Sequence, residues 1–355
     1  MGARRQVGKV IVKNFVFFTV AVLVFLILVT SAQWKLTQYK IQDVFTQNLK
    51  VIHENRQYFE AQMEKLGMNE TEYAWYWTYK VLRIKPTFTG TLEYYFKTSL
   101  SVFKDLGSAG LKGFSHPMGY YLKNTIVILI LVELCILAVG TYLGLRAGYR
   151  GGRLDSLIST MAQLFSAIPV WFIGAVVFLL AWRFSVLPDF AMRIQLASTD
   201  GSPGLGEYAV GFALPAIAMI LSATWEYAFT LRNIVVSERK SDHITYDIAR
   251  GLPDGRIMKK LLRVVFPSFL TYTTYNFMDV FMSVLVIELV FDVPGLGYIL
   301  LHSFRVINKP PEGVEFVYYP EAIFVVGFAM LLIYFINSLL TEIVYVYLDP
   351  RVRRQ

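Results

Sequence analysis

Four residues able to do proton or ion chemistry lie in stretches otherwise suited to lipid: Glu133, Asn276, Asp279 and Glu288. A carboxylate at the centre of a membrane helix costs about 3 kcal/mol on insertion scales, so it faces a protein interior or a wet cavity. Two roles fit such groups. They can line, gate or carry protons along a pathway, or they can form hydrogen bonds that hold helices together. For Glu133 the second role is as natural as the first, and for Asn276, Asp279 and Glu288 both stay open. The remaining chemistry-bearing residues are sparse. His53, His116, His243 and His302 have no ligand-like spacing, so no metal site is expected. Cys135 is the single cysteine and lies in an apolar run, which excludes an intramolecular disulfide and a thiolate metal site. No phosphate-binding G-x-x-x-x-G-K-[ST] loop occurs, so any ATP the system uses is hydrolysed on another chain.

A second feature is a polar, basic island between two apolar runs, S-D-H-I-T-Y-D-I-A-R-G-L-P-D-G-R-I-M-K-K-L-L-R-V-V-F-P, residues 241–267. Tyr246, Asp247, Ile248, Ala249 and Arg250 lead into Gly251, which can end a short helix in a left-handed cap, and Leu252 and Pro253 follow. From Gly255 to Phe266, Ile257, Leu261, Leu262 and Val265 share one helical face, and Arg256, Lys259, Lys260 and Arg263 the other. A helix, a glycine break, a basic amphipathic helix and then a proline make a docking element for a partner. The plainer alternative is a positively charged inner loop with no partner.

The elements that must position these residues are membrane spans. The 355 residues are 55% hydrophobic and 17% charged, with a net charge of +8 and a mean hydropathy of +0.48. A multi-pass protein with basic inner loops accounts for that charge, so nucleic acid is not needed to explain it. Apolar runs at 10–32, 121–145, 156–182, 210–231, 268–291 and 321–347 predict six spans. Basic residues precede the first, so it reads as an uncleaved span with its N-terminus inside. The count then places the island inside, in agreement with its eight Lys and Arg from Arg232 to Arg263. Pro169 predicts a kink in the third span.

The expected fold is thus an all-α polytopic membrane protein. It has six transmembrane helices, both termini cytoplasmic, and a mainly helical extracellular insert over 33–120 between the first two. Residues 1–32 hold the first span and 121–355 the five-helix core, with an inner loop at 237–267 and an outer loop or re-entrant region at 292–320. In the insert, W-Y-W-T-Y at 75–79 could face a partner or a sugar, or form a core. Asn69-Glu70-Thr71 is a glycosylation sequon, a triplet that also occurs by chance.

Four stretches in order carry a family resemblance. I-E-L-V-F-D-V-P-G-L-G at 287–297 resembles an E-x-x-F-x-x-P-G-[LI]-G segment, which contains Glu288, Pro294, Gly295 and Gly297. Y-V-Y-L-D-P-R-V-R at 345–353, with Asp349, Pro350 and Arg351, resembles an L-Y-x-x-[LI]-D-P-R-[IV]-R tail. G-G-R-L-D-S-L-I-S and S-A-I-P-V-W-F-I-G resemble the third-span pattern, and K-D-L-G-S with Asn124-Thr125 resembles the approach to the second span. Together they are similar to the first permease subunit of dipeptide/oligopeptide/nickel-type ABC importers, over most of 95–353.

That resemblance implies a permease half with no covalent chemistry of its own. It implies a homologous second permease, two ATPase subunits carrying ATP and magnesium, an extracellular substrate-binding protein, a lipid environment and no cofactor on this chain. It places the protein in a prokaryotic plasma membrane. The island becomes the coupling loop, Y-D-I-A-R-G-L-P standing for Y-x-x-T-A-R-A-K-G-L. This chain departs by having Ala249-Arg250 directly before Gly251, and Asp247 and Ile248 where other residues are usual. Peptides are the substrate the family implies, with oligosaccharides or nickel as alternatives. Other classes are a proton-coupled secondary transporter working through Glu133, Asp279 or Glu288, and a membrane enzyme, against which the scattered histidines count.

Overall fold

The computed structural model describes residues 2–83, 87–111, 113–184, 204–309 and 313–348. It is dominated by helices: α1 Gly2–Glu54, α2 Arg56–Leu66, α3 Glu70–Leu82, α4 Phe88–Lys104, α5 Met118–Arg150, α6 Arg153–Ser166, α7 Val170–Arg183, α8 Leu205–Glu238, α9 Asp242–Ala249, α10 Asp254–Val290, α11 Leu296–His302 and α12 Pro320–Leu348. Five helices (α1, α5, α8, α10 and α12) are long and apolar enough to cross a bilayer, and α6 with α7 makes a sixth candidate. The protein is therefore polytopic.

The helical polytopic fold is as expected, with one added hairpin and three finer corrections. Phe304–Lys309 (β1) and Gly313–Tyr318 (β2) pair antiparallel, Phe304 opposite Tyr318 and Lys309 opposite Gly313. These runs are rich in β-branched and aromatic residues, separated by turn-forming residues, which favours a hairpin. Within the 292–320 region, read from the sequence as an outer loop or re-entrant segment, the described residues form a short helix and this hairpin. The third span is not a kinked helix. Its halves meet at 96°, with Pro169 just ahead of α7, where its missing N–H costs nothing. The first helix does not stop near residue 32 but runs on to Glu54, about 80 Å against a hydrocarbon core of about 30 Å. Finally, the basic amphipathic stretch does not end at Pro267; α10 passes through it without a break, as membrane helices allow.

The tightest helix pair is α5 with α8. Gly140, Gly144 and Gly148 form a stripe on α5, one turn apart, against Tyr227, Ala228, Leu231 and Val235 of α8. A side chain at Gly144 would meet the Ala228 carbonyl at 2.5 Å, and one at Gly148 would meet Val235 Cβ at 2.7 Å. Small residues let two backbones approach and gain dispersion contact, the main source of helix attraction inside lipid. Arg232 of α8 grips Asp155 of α6 in a two-point contact, through Nε and through Nη2 at 2.8 Å.

At the other end of α10 a polar knot joins three elements. Glu288 is fully buried. One carboxyl oxygen accepts from Thr125 Oγ1 of α5 at 2.6 Å, and the other from the Gly297 N–H at 2.7 Å. Thr125 in turn accepts from the Leu296 N–H at 2.8 Å, and Asn124 Nδ2 donates to the Pro294 carbonyl at 2.9 Å. A side chain at Gly295 would collide with the Glu288 carboxyl, and one at Gly297 with the Leu285 carbonyl. The P-G-L-G segment is thus shaped to lay one backbone donor on the acid and the neighbouring one on the acid's partner Thr125. Asp349, Pro350 and Arg351 lie outside the described residues.

Overpacking costs about 1–3 kcal/mol. Gly144→Val should therefore lower the thermal unfolding midpoint of the detergent-solubilised protein, while Gly255→Ala, which meets open space, should not. Glu288→Ala strands two buried donors and should cost about 2–5 kcal/mol in the same measurement. Glu288→Gln, which keeps the shape and an acceptor for Gly297, should cost much less.

Candidate docking element and polar cavity

The island folds as a hard corner between α8 and α10. After Glu238, the Ser241 N–H bonds to the Glu238 carbonyl at 3.0 Å, and α9 begins at Asp242, an acidic residue in a first turn. The helix ends in a Schellman motif. The Gly251 N–H donates to the Ile248 carbonyl at 2.9 Å and the Leu252 N–H to the Asp247 carbonyl at 3.2 Å. Gly251 sits at φ +72° with nothing near its absent side chain, so backbone conformation, not space, selects glycine.

The eight residues singled out by the sequence divide into two sets. Asp247 turns inward and pairs with Lys260 of α10, and Leu252 packs against the main core. Tyr246, Ile248, Ala249, Arg250 and Pro253 stay exposed, Tyr246 at 61% and Ile248 at 45%, and the Arg250 guanidinium lies 5.5 Å from the Tyr246 ring centre. The corner thus offers a small apolar platform on a rigid base. Sequence reasoning missed part of that base. Ile244 is fully buried beneath α9. Asp254 accepts from Tyr149 at 3.0 Å and Arg150 at 3.3 Å, seating the start of α10 on the end of α5. These pairings join residues about a hundred positions apart and leave no local mark. Ile244 alone could have been found, as the apolar residue one helical turn from Asp247 and Ile248.

Asn276 and Asp279 are brought together, and Glu288 is not with them. They line a cavity of about 240 Å³ at the α6–α7 break, with Glu226, Ser166, Ser222 and Ser283. Asn276 Nδ2 donates to Tyr272 Oη at 3.2 Å, and Tyr272 donates to Glu226 at 3.0 Å. Asp279 lies exposed at the cavity and makes no ion pair among the described residues. Glu288 is spent in the knot. Glu133 receives a hydrogen bond from Tyr227 of α8 at 3.4 Å, so it joins α5 to α8. Glu226 is a cavity residue that the sequence reading left unassigned, though an acid within an apolar run is a visible signal.

In the insert, Trp75 stacks on Phe45 at 4.0 Å and on Tyr79 at 5.4 Å, and Tyr73 is buried. The aromatic run mostly forms a core between α1, α2 and α3, with Tyr76 facing outward. Asn69 is the N-cap of α3 in a capping box, its side chain accepting from the Glu72 N–H at 2.8 Å. That gives this asparagine a structural role.

Comparison with known proteins adds the last observation. The sequence profile described as binding-protein-dependent transport system inner membrane component matches residues 140–354. The chain is 23% identical to a probable peptide ABC transporter permease of Sinorhizobium fredii, over 65% of this chain and 70% of that one. It is 23% identical to the metal-staphylopine import system permease of Staphylococcus aureus, over 67% and 70%. It is 27% identical to an oligopeptide transport system permease of Mycobacterium bovis, over 62% and 70%. The matched region holds the Pro-Gly-Leu-Gly segment with Glu288, the α9 corner, the cavity and the glycine stripe, in a chain with five or six apolar spans among the described residues: this multi-pass protein belongs to the family of binding-protein-dependent transport system inner membrane components.

Proposed function

We propose that this chain forms half of the translocation pathway of an ATP-driven importer of peptides. A second, homologous permease completes the pathway. Two ATPase subunits bind ATP and magnesium and dock at α9, and an outer binding protein delivers the solute to the opposite face. The N-terminus, the α9 corner and the C-terminus then face the cytoplasm, and the insert of α2–α4 faces outward, as the basic residues around α9 favour.

The observation that carries this reading is the continuity of α10. It starts under the exposed platform of α9, is fixed there by Asp247–Lys260 and by Asp254, and lines the polar cavity with Asn276 and Asp279. It ends in the Glu288 knot. Its 37 residues span about 55 Å, long enough to carry a push at one membrane face to a cavity within the membrane. Glu226, Asn276 and Asp279 give that cavity hydrogen-bonding and negative character suited to the amide and amino groups of a peptide. Peptide is also the substrate class in the names of two of the relatives. The sugar alternative leaned on Trp75, Tyr76 and Trp77. Trp75 is stacked within the insert, which weakens that support.

Gly251→Val forces a β-branched side chain into the left-handed region. In vesicles containing the assembled importer, it should cut ATP-dependent peptide uptake at least tenfold, with ATP hydrolysis no longer stimulated by loaded binding protein. Ile248→Asp should weaken retention of the ATPase subunits on the permease. Uptake and stimulation at normal levels in both variants would remove α9 from the coupling role. Asp279→Asn should lower uptake of cationic peptides more than of neutral ones, with the unfolding midpoint unchanged.

A further inference from the structure

A groove of about 890 Å³ runs between α5 and α10 on a face separate from the polar cavity. Its walls are apolar, including Leu137, Leu145, Leu262 and Phe266. Its basic end is made by Arg146, Arg150 and Lys259. These three cations are not equally committed. Arg150 is paired with Asp254 at 3.3 Å. Arg146 hydrogen-bonds the phenol of Tyr142 and lies 5.7 Å from its ring centre, which orients the guanidinium without neutralising it. Lys259 has no carboxylate partner among the described residues. Two exposed, uncompensated cations therefore stand over the end of an apolar trough.

The depth of the trough is informative. From Leu134 to Leu145 along α5 is about 17 Å, close to one leaflet of a hydrocarbon core about 30 Å thick. The basic end lies at the α9 side. Resting on the reading above, in which that side is cytoplasmic, the cations sit at the headgroup level of the inner leaflet, where basic pockets between helices attract anionic lipids. A helix from another subunit would fill the apolar trough but would leave the cations unmatched unless it brought acids to this depth. A lipid with one phosphate and two acyl chains matches both halves of the groove at once.

We propose that the α5–α10 groove is a binding site for an anionic phospholipid, its phosphate held by Arg146 and Lys259 and an acyl chain laid along Leu137, Leu145, Leu262 and Phe266. Because the groove flanks the start of α10, a bound lipid packs against the same helix that leads from α9 to the cavity.

The test is native mass spectrometry of the intact permease complex titrated with phosphatidylglycerol and, separately, phosphatidylcholine. Each basic residue near an anionic headgroup contributes about fivefold in affinity. Arg146→Gln with Lys259→Gln should therefore weaken phosphatidylglycerol binding about 30-fold and phosphatidylcholine binding far less, because its choline already offsets the phosphate charge. Arg256→Gln with Arg263→Gln removes the same charge from exposed positions outside the groove and should change little. Equal losses in the two double variants would reduce the effect to general surface charge and overturn the site. So would a wild-type complex with no preference for the anionic lipid, or efficient cross-linking of a cysteine at Leu137 to the second permease. Retained ATPase subunits with no lipid preference would refute this site alone, and lipid preference without ATPase subunits would refute the docking reading alone.

Discussion

A carboxyl group enclosed in apolar surroundings must find donors or it destabilises whatever holds it. Glu288 meets that demand with Thr125 of α5 and the Gly297 backbone, and so fixes the far end of α10 to two other elements. The near end is fixed by different means, a Lys260–Asp247 pair to α9 and an Asp254 junction to α5. A helix anchored at both ends and unbroken between them behaves as one body. That constraint is what the proposed coupling role of α9 rests on: in that reading, α10 links the exposed platform to Asn276 and Asp279 without a break.

The surrounding helices divide the work. The glycine stripe of α5 lets α8 approach closely, and α8 carries Glu226 into the cavity and Arg232 to α6. The α6–α7 corner at Pro169 opens the space that the cavity occupies. On the outer edge, α1 and α12 pack through Phe18 on Phe335 at 4.6 Å and through the Lys13–Glu342 pair at 2.9 Å. Tyr95 of α4 is buried on Phe324, tying the insert to the last span.

Much of this was legible in the residues, for identifiable reasons. The spans followed from long apolar runs, since a bilayer accepts little else. The α9 cap followed from a glycine after a short amphipathic run, and the amphipathic start of α10 from the spacing of Ile257, Leu261 and Val265. Other features had a signal that was passed over. Gly140, Gly144 and Gly148 recur every fourth residue. Thr37, Ile41, Phe45 and Ile52 are buried at helical spacing with no glycine or proline between them, which marks the continuation of α1. Asn-Lys-Pro-Pro-Glu-Gly between two β-prone runs marks the hairpin. What could not be read was set by tertiary contact. Pro169 announces a bend, but the angle of 96° depends on what packs against each arm. Glu288 is legible as an intramembrane acid within the segment that carries the family resemblance. Its partner Thr125, however, is 163 residues away and not inferable from spacing. Asn276 and Asp279 share a helix face with many neighbours, and only the fold shows that Glu226 joins them.

The proposed role of this chain requires that an ATPase engage it, and α9 is the surface assigned to that contact. The most direct measurement is gentle affinity purification of the full chain from its native membrane, followed by identification of everything that accompanies it. The expected companions are a second permease in equal amount, ATPase subunits that are lost from the Ile248→Asp variant, and a binding protein whose bound solute is a peptide. A chain recovered without any ATPase, under conditions that leave its own helices folded, would contradict the proposed role.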